Sequence, residues 1–131
     1  MKKYHVCQQK GCHNPTRDPK PSGKGYTIHY RDCHTCANLM SNYGITSPER
    51  YQMCEDIDWI CPGCKEEMHL PPLGDATNRH PKNAAVDHDH SKLKGETGFI
   101  RGILCSACNR GMGMLGDDPD RLERLAKHLR G

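Results

Sequence analysis

Near the end of the chain, apolar residues fall at i, i+3, i+4 and i+7, which is the spacing of one helix face. These positions are Leu122, Leu125, Ala126 and Leu129, and they follow Asp118-Pro119. Asp is a favoured N-cap and Pro suits the first helical position, so a capped amphipathic helix is predicted here. We expect its apolar face to cover the core.

A second helix is predicted to begin at Ser47-Pro48-Glu49, where Ser can cap the helix and Glu complements its dipole. Tyr51, Cys54 and Ile57 then fall on one apolar face, and the helix is expected to end at Trp59-Ile60.

Between these helices, two apolar segments of strand length flank the polar segment 91–97, a pattern that indicates a β-hairpin. Its predicted arms are 84–88 and 98–102, and residues 70–81, which contain Pro, Gly and Asn, are predicted to form a loop. A short helix is expected from Cys105 to about Met112, ended by Gly111 and Gly113.

The composition leaves little material for a conventional core. Of 131 residues only 34% are hydrophobic, with one Trp and one Phe, whereas nine are Cys. The odd cysteine count, the close pairing and an N-terminus without an apolar signal segment favour thiolates that bind metal over a secreted disulfide scaffold. Cys54 has no close partner and is expected to be a small buried residue, although a redox or ligand role is conceivable.

The first cysteine quartet is Cys7-x4-Cys12 with Cys33-x2-Cys36, and twenty residues separate the two pairs. Residues 26–30 are predicted to form a short strand that leads into the second pair. Two thiolate-bearing turns of this kind form a zinc-ribbon-like site, which we assign to a module over residues 1–42. A histidine could replace one thiolate, and the candidates are His5, His13, His29 and His34.

The second quartet is Cys61-Pro62-Gly63-Cys64 with Cys105-x2-Cys108, and forty residues separate its pairs. This spacing is a strong zinc signal. Because four cysteines close a tetrahedral site, both zinc ions are expected to stabilise the fold rather than to take part in chemistry.

Asp87-His88-Asp89-His90 lies between the pairs of the second quartet. An imidazole suits the role of general base toward water, and the oxygens of Asp87 and Asn109 are hard ligands for Mg²⁺. Arg101 could hold a phosphate. Taken alone, the motif could equally be a polar turn or a further zinc site.

The full order of motifs, however, resembles the recombination endonuclease VII family of phage nucleases, within the His-Me finger (ββα-metal, HNH-like) superfamily. The resemblance starts at 43–46 and includes Tyr51 and the second quartet. It continues through Asp87-His88-Asp89-His90 and 101–109 to 115–119.

This resemblance implies a small, zinc-stabilised α+β fold, with a ββα-metal nuclease domain over 43–131 and a C-terminal helix. It also implies that His88 activates water, that Asp87 and Asn109 bind catalytic Mg²⁺ or Mn²⁺, and that His90 orients the scissile phosphate. Cys61, Cys64, Cys105 and Cys108 would be the structural zinc ligands. Products would carry 5′-phosphate and 3′-hydroxyl ends.

Charge is compatible with a nucleic-acid partner. Residues 1–50 hold eight Lys/Arg and three Asp/Glu, a basic balance that suits a polyanion but that ordinary surface can also have. We expect DNA to be bound mainly through its phosphates, by a cytoplasmic protein of a phage-infected or bacterial cell with no membrane span.

Three functions are therefore weighed. The first is an Mg²⁺-dependent endonuclease that nicks or cleaves duplex DNA. The second is a dimeric enzyme that resolves branched DNA, which is disfavoured because 22 residues follow Asn109 where the best-known family members have a long helical region. The third is a non-catalytic double zinc-finger protein, for which the combination of Asp87, His88 and Asn109 would serve no purpose. The oligomeric state is left open.

Overall fold

A computed structural model describes residues 6–18, 20–25, 27–28, 32–70 and 79–131. The elements in this part of the chain are β1 (Lys20–Pro21), β2 (Thr27–Ile28), α1 (His34–Tyr43), α2 (Ser47–Asp56), β3 (Ala84–His88), β4 (Ile100–Cys105), α3 (Ser106–Met114) and α4 (Pro119–Arg130). The fold is thus small and α+β, as predicted. No helix among the described residues is both long and apolar enough to span a membrane.

The C-terminal half contains a ββα unit. Strands β3 and β4 pair antiparallel, and Ala84 lies opposite Cys105 at the end of the hairpin where α3 begins. The predicted first arm is confirmed. The second arm is displaced from the predicted 98–102, since β4 begins at Ile100 and continues to Cys105, and α3 continues past both glycines to Met114. Gly111 and Gly113 do not end the helix, because neither adopts the left-handed conformation that often ends a helix. From the start of α3 onward, Gly116 is the first residue that adopts it.

A β-bulge interrupts the hairpin near its connecting loop, at the end opposite to the Ala84–Cys105 pair. Asp87 pairs with Gly102 and His88 with Ile100, so Arg101 is the extra residue on β4. Gly102 has a φ of 151°. Residues with a side chain rarely adopt this backbone conformation, so the position requires glycine. The bulge brings the guanidinium of Arg101 to the carboxylate of Asp87.

The core is small and depends on cysteine. Its buried members come from α1, from α2, from the segment between α2 and β3, and from the hairpin, and they are Leu39, Cys54, Cys61, Met68, Ala84, Val86, Ile103 and Cys105. Cys54 is fully buried, which confirms its expected place. A separate buried cluster consists of Cys7, Cys12, Cys33 and Cys36.

Helix α1 was not predicted from the sequence. It begins beside this cluster of four cysteines, with Cys33 as N-cap, and ends at Tyr43 before Gly44, which has a φ of 76°. Because α1 runs through residue 42, it joins the two segments that the sequence suggested as domains. The division into 1–42 and 43–131 stays a prediction.

The N-terminal segment contains a two-strand pairing, since β1 pairs antiparallel with β2. The predicted strand over 26–30 is present at Thr27 and Ile28, and its other residues lie outside the described part of the chain. The same holds for most of the predicted loop over 70–81, because residues 71–78 are not described.

Helix α4 begins as predicted, with Asp118 as N-cap and Pro119 at the first position. The prediction that it covers the core is wrong. None of its residues is buried, and Leu129 is 86% exposed. The turn after α3 carries α4 away from the small core, which the hairpin, α1 and α2 already enclose.

The cap of α2 is Thr46, one residue before the predicted Ser47. The Thr46 hydroxyl accepts a hydrogen bond from the Glu49 N–H (3.3 Å), and the Glu49 carboxylate accepts one from the Thr46 N–H (3.1 Å). This is a capping box, which Ser47 could not form with a residue three positions later. Tyr51, predicted on the buried face, is 50% exposed and packs edge-on against Trp59.

We expect Thr46→Ala to lower the free energy of unfolding by about 1 kcal/mol, because it removes an N-cap that satisfies an otherwise unpaired N–H. Ser47→Ala is the matched control, and it should change stability by less than about 0.5 kcal/mol. Urea unfolding followed by circular dichroism measures both. Equal losses for the two variants would contradict the assignment of the cap.

Candidate active site and metal centres

A cleft of about 390 Å³ lies beside the ββα unit. Val86, His88 and His90 reach it from one side of the hairpin, as expected for alternate residues of an extended chain. Asn109 and Arg110 reach it from α3, and the other lining residues are Tyr43, Gly113, Met114 and Asp117. Three of the four predicted catalytic residues, His88, His90 and Asn109, thus line the same cleft.

His88 is held among aromatic rings. Its ring centroid lies 4.3 Å from that of His90, 5.2 Å from that of Phe99 and 5.4 Å from that of Tyr43. Phe99 is buried and His88 is half-buried. These contacts restrict the rotation of the imidazole while one side of the ring reaches the cleft.

Asn109 is positioned by the second cysteine cluster. It follows Cys108 directly, in the first turn of α3, where the Cys105 thiol caps the helix by accepting a hydrogen bond from the Cys108 N–H (3.4 Å). The backbone that carries the Asn109 side chain is therefore held at two cysteines of this cluster, Cys105 and Cys108. A metal ion at the cluster would make this anchor rigid.

Asp87 lies behind the cleft rather than in its lining. It is 7% exposed, and both carboxylate oxygens accept hydrogen bonds from Arg101, at 2.9 Å from Nε and 2.8 Å from Nη2. Asp87 raises the pKa of Arg101 through these bonds. A carboxylate has about four lone-pair positions, so two remain for other partners.

Arg101 was predicted to bind phosphate, and the structure gives it protein partners as well. Its Nη2 also lies 3.4 Å from Oδ2 of Asp117. The side chain is 35% exposed and lines a second cleft, of about 590 Å³, next to the first. The guanidinium therefore holds Asp87 in place and is still accessible from this cleft. Its contact with phosphate stays a prediction.

Tyr43 and Asp117 contact predicted site residues in the cleft, and the sequence assigned no role to either. Tyr43 packs against His88 from the end of α1, and Asp117 approaches His90 from the turn after α3. The only sequence signal for these two residues is that the family resemblance includes the segments 43–46 and 115–119.

Two groups of four thiols have the arrangement of tetrahedral metal sites. In each group all four Sγ atoms lie within 4.8 Å of one another. Measured pairs are 3.6 Å for Cys12 and Cys36, 4.0 Å for Cys12 and Cys33, and 3.8 Å for Cys64 and Cys105. A tetrahedron with Zn–S bonds of about 2.3 Å has edges of about 3.8 Å, so both groups match the size of a zinc site.

The predicted four-cysteine sets are thus brought together. Among the described residues no histidine belongs to either group. His13 and His34, two of the proposed substitutes, are exposed. The other two, His5 and His29, lie outside the described residues.

Within the second group, the surroundings favour a thiolate at Cys61. Burial raises the pKa of Cys61, but hydrogen bonds from backbone N–H groups, including that of Cys105 at 3.3 Å, outweigh it and lower this pKa to about 6. Lys82 donates to Sγ of Cys64 (3.5 Å) and pairs with Glu66. The pair with Glu66 raises the pKa of Lys82. Burial, together with hydrogen bonds to Cys105 and Cys61, raises the pKa of Cys108 to about 12. A cation at the centre would reverse that penalty.

Residues 36–131 match the model of a protein family described as recombination endonuclease VII. The chain belongs to this family. The matched range contains the residues that line the cleft, the aromatic rings that pack against His88, and the whole second cysteine group. Cys7, Cys12 and Cys33 lie before it.

Two phage proteins are similar in sequence. The gene 59 protein of Mycobacterium phage L5 is 31% identical over 102 residues, which cover 72% of this chain and 53% of that protein. The gene 59 protein of Mycobacterium phage D29 is 29% identical over 123 residues, or 88% and 66%. The chain thus spans between about half and two thirds of the length of these relatives.

The crystal structure of the beta-beta-alpha-Me type II restriction endonuclease Hpy99I is similar at a low level. The alignment covers 95% of this chain and 64% of that one, with 22% identity and a TM-score of 0.41.

Proposed function

We propose that this member of the endonuclease VII family is a DNA endonuclease that hydrolyses phosphodiester bonds with a divalent cation, Mg²⁺ or Mn²⁺. The observation that carries the proposal is the cleft that is lined by both the imidazole of His88 and the amide of Asn109. A base and a hard oxygen ligand in one cleft suit the hydrolysis of a phosphate ester.

His88 acts as the general base. Its imidazole takes a proton from water, and the hydroxide that results attacks phosphorus and breaks the bond to the 3′ oxygen. The 3′ oxygen gains a proton from solvent, so the ends are 5′-phosphate and 3′-hydroxyl. The rings of Tyr43 and Phe99 hold the imidazole so that its orientation is set before the substrate arrives.

Asp87 and Asn109 would hold the cation through a carboxylate and an amide oxygen. When bound, it supplies positive charge that stabilises the phosphate oxygens as the bond breaks. Arg101 keeps the Asp87 carboxylate oriented through two hydrogen bonds. His90, which is exposed beside His88, contacts the scissile phosphate.

Both four-cysteine groups hold structural zinc in this proposal. The second group fixes the start of α3 against β4, and thereby the distance between Asn109 and His88. The first group lies at the start of α1, which ends at Tyr43 in the cleft. Contacts with DNA are mostly to phosphates, and Arg110 at the cleft is one cation placed to make them.

The test is the conversion of supercoiled plasmid to open-circular or linear DNA. We expect conversion with Mg²⁺ or Mn²⁺, none when the cation is omitted, and full recovery when it is added back, since zinc stays bound throughout. Asn109→Ala should raise the Mg²⁺ concentration for half-maximal rate at least about 10-fold, whereas Asn38→Ala, the same change on an exposed site of α1, should not.

The alternatives give different outcomes in the same assay. A strong preference for four-way junctions over linear duplex would identify a branched-DNA resolving enzyme with the same chemistry. Binding of DNA without cleavage of any supercoiled, linear, single-stranded or branched form would identify a zinc-finger binding protein and overturn the proposal.

A further inference from the structure

The turn between α3 and α4 has a backbone that directs one carboxylate back toward the hairpin. Asp117 adopts a φ of 53°, directly after Gly116 at 77°. Its N–H donates to the carbonyl of Met112 (2.9 Å), which closes the turn. Asp and Asn tolerate this left-handed conformation better than other residues with side chains.

The carboxylate of Asp117 lies between two predicted site residues. Its Oδ2 is 3.4 Å from Nη2 of Arg101 and 3.6 Å from Nε2 of His90. The same Nη2 donates to Asp87 at 2.8 Å. Asp87, Arg101, Asp117 and His90 therefore form a continuous chain of alternating charge, in which His90 carries charge when it is protonated.

His90 needs such a partner more than His88 does. The side chain of His90 is 69% exposed, and an exposed imidazole samples several rotamers. The side chain of Asp117 is 20% exposed and lines both clefts. It thus reaches the ring from the partly buried side and limits the orientations that the ring can take.

We propose that Asp117 is a positioning residue that holds His90 beside His88 and holds Arg101 on Asp87. Its effect on rate rests on the proposed function, but the contact itself does not. A loss of alignment at a reacting phosphate lowers the rate of the chemical step more than it lowers substrate binding.

Asp117→Asn is the sharpest variant, because Asn keeps the size of the side chain and tolerates the left-handed backbone while it removes the charge. We expect kcat for plasmid nicking to fall about 10-fold, KM for DNA to change less than about 2-fold, and the melting temperature to stay nearly constant. In a His90→Ala background the fall should be about 2-fold or less, since the main side chain through which Asp117 acts is gone.

Asp118→Asn is the matched control. It makes the same change of charge one residue away, at an N-cap position where Asn is as good as Asp. Its kcat and KM should equal those of the parent.

A second readout does not depend on activity. In long-range ¹H–¹⁵N spectra of the imidazole rings, Asp117→Asn should shift the Nε2 resonance of His90 and leave His69 unchanged, and Asp118→Asn should shift neither. A parent that cleaves no DNA would overturn the proposed function alone, because these spectra still decide the contact. Unchanged His90 resonances, or a nicking rate of Asp117→Asn equal to that of Asp118→Asn, would overturn the role of Asp117.

Discussion

Replacing Cys105 with serine is expected to unfold the ββα unit and to reduce the zinc content from two ions per chain to one. Cys105 is fully buried, lies between β4 and α3 and caps α3 with its sulfur. Structural zinc contributes roughly 10–16 kcal/mol in zinc-finger peptides, whereas a whole domain is stable by about 5–15 kcal/mol. With so few apolar residues in the core, the loss of one ion removes more free energy than the fold has in reserve.

The measurement combines zinc content by elemental analysis with thermal unfolding by circular dichroism. Cys54→Ala is the matched control, because Cys54 is equally buried in the same core but belongs to neither group of four thiols. It should keep two zinc ions and a cooperative transition. If Cys105→Ser also kept both, the second group would not be the element that stabilises this fold.

The sequence predicted best those elements whose signals are local. Asp118-Pro119 marked the start of α4 to the residue, and Ala84–His88 was recognised as a strand from its composition. The cysteine spacing predicted both groups of four, because C-x-x-C turns bring two sulfurs together whatever the rest of the chain does.

Features that depend on tertiary contacts were not predictable in this way. Helix α1 buries only Cys36 and Leu39, so its hydrophobic pattern is weak and its stability comes from the cluster at its start and the core beside it. The spacing of apolar residues in α4 predicts a face that packs on the core. Whether this face contacts the core depends on the direction of the turn before the helix.

The candidate site was predicted in its residue types and only partly in its arrangement. The order of motifs was enough to propose His88 and Asn109 for one site, and both line the cleft. The pairing of Arg101 with Asp87 depends on a one-residue bulge at Gly102, and the approach of Asp117 depends on a left-handed turn. Neither leaves a periodic signal in the sequence.

His88→Ala is expected to lower the rate of Mg²⁺-supported plasmid nicking by about 10³-fold, within the range of about 10² to 10⁴ that general bases contribute. An imidazole suits the role of a base toward water, and of the two in the cleft, that of His88 is the one held by Tyr43 and Phe99. Its removal leaves Asp87, Asn109 and Arg101 in place, so DNA binding should change little.

The variant must be shown to be folded, because the ring of His88 also packs against Tyr43 and Phe99. Its zinc content and circular dichroism spectrum should equal those of the parent. His69→Ala is the matched control: His69 is exposed and lies against His80 with the two rings tilted, outside both clefts. It should nick at the rate of the parent.

The most direct measurement is the initial rate at which supercoiled plasmid becomes open-circular, compared between the parent and folded His88→Ala at the same Mg²⁺ concentration. We expect the parent to nick and the variant to be at least about 100-fold slower. Rates within about 3-fold of each other, with two zinc ions in both proteins, would contradict the assignment of His88 as the base.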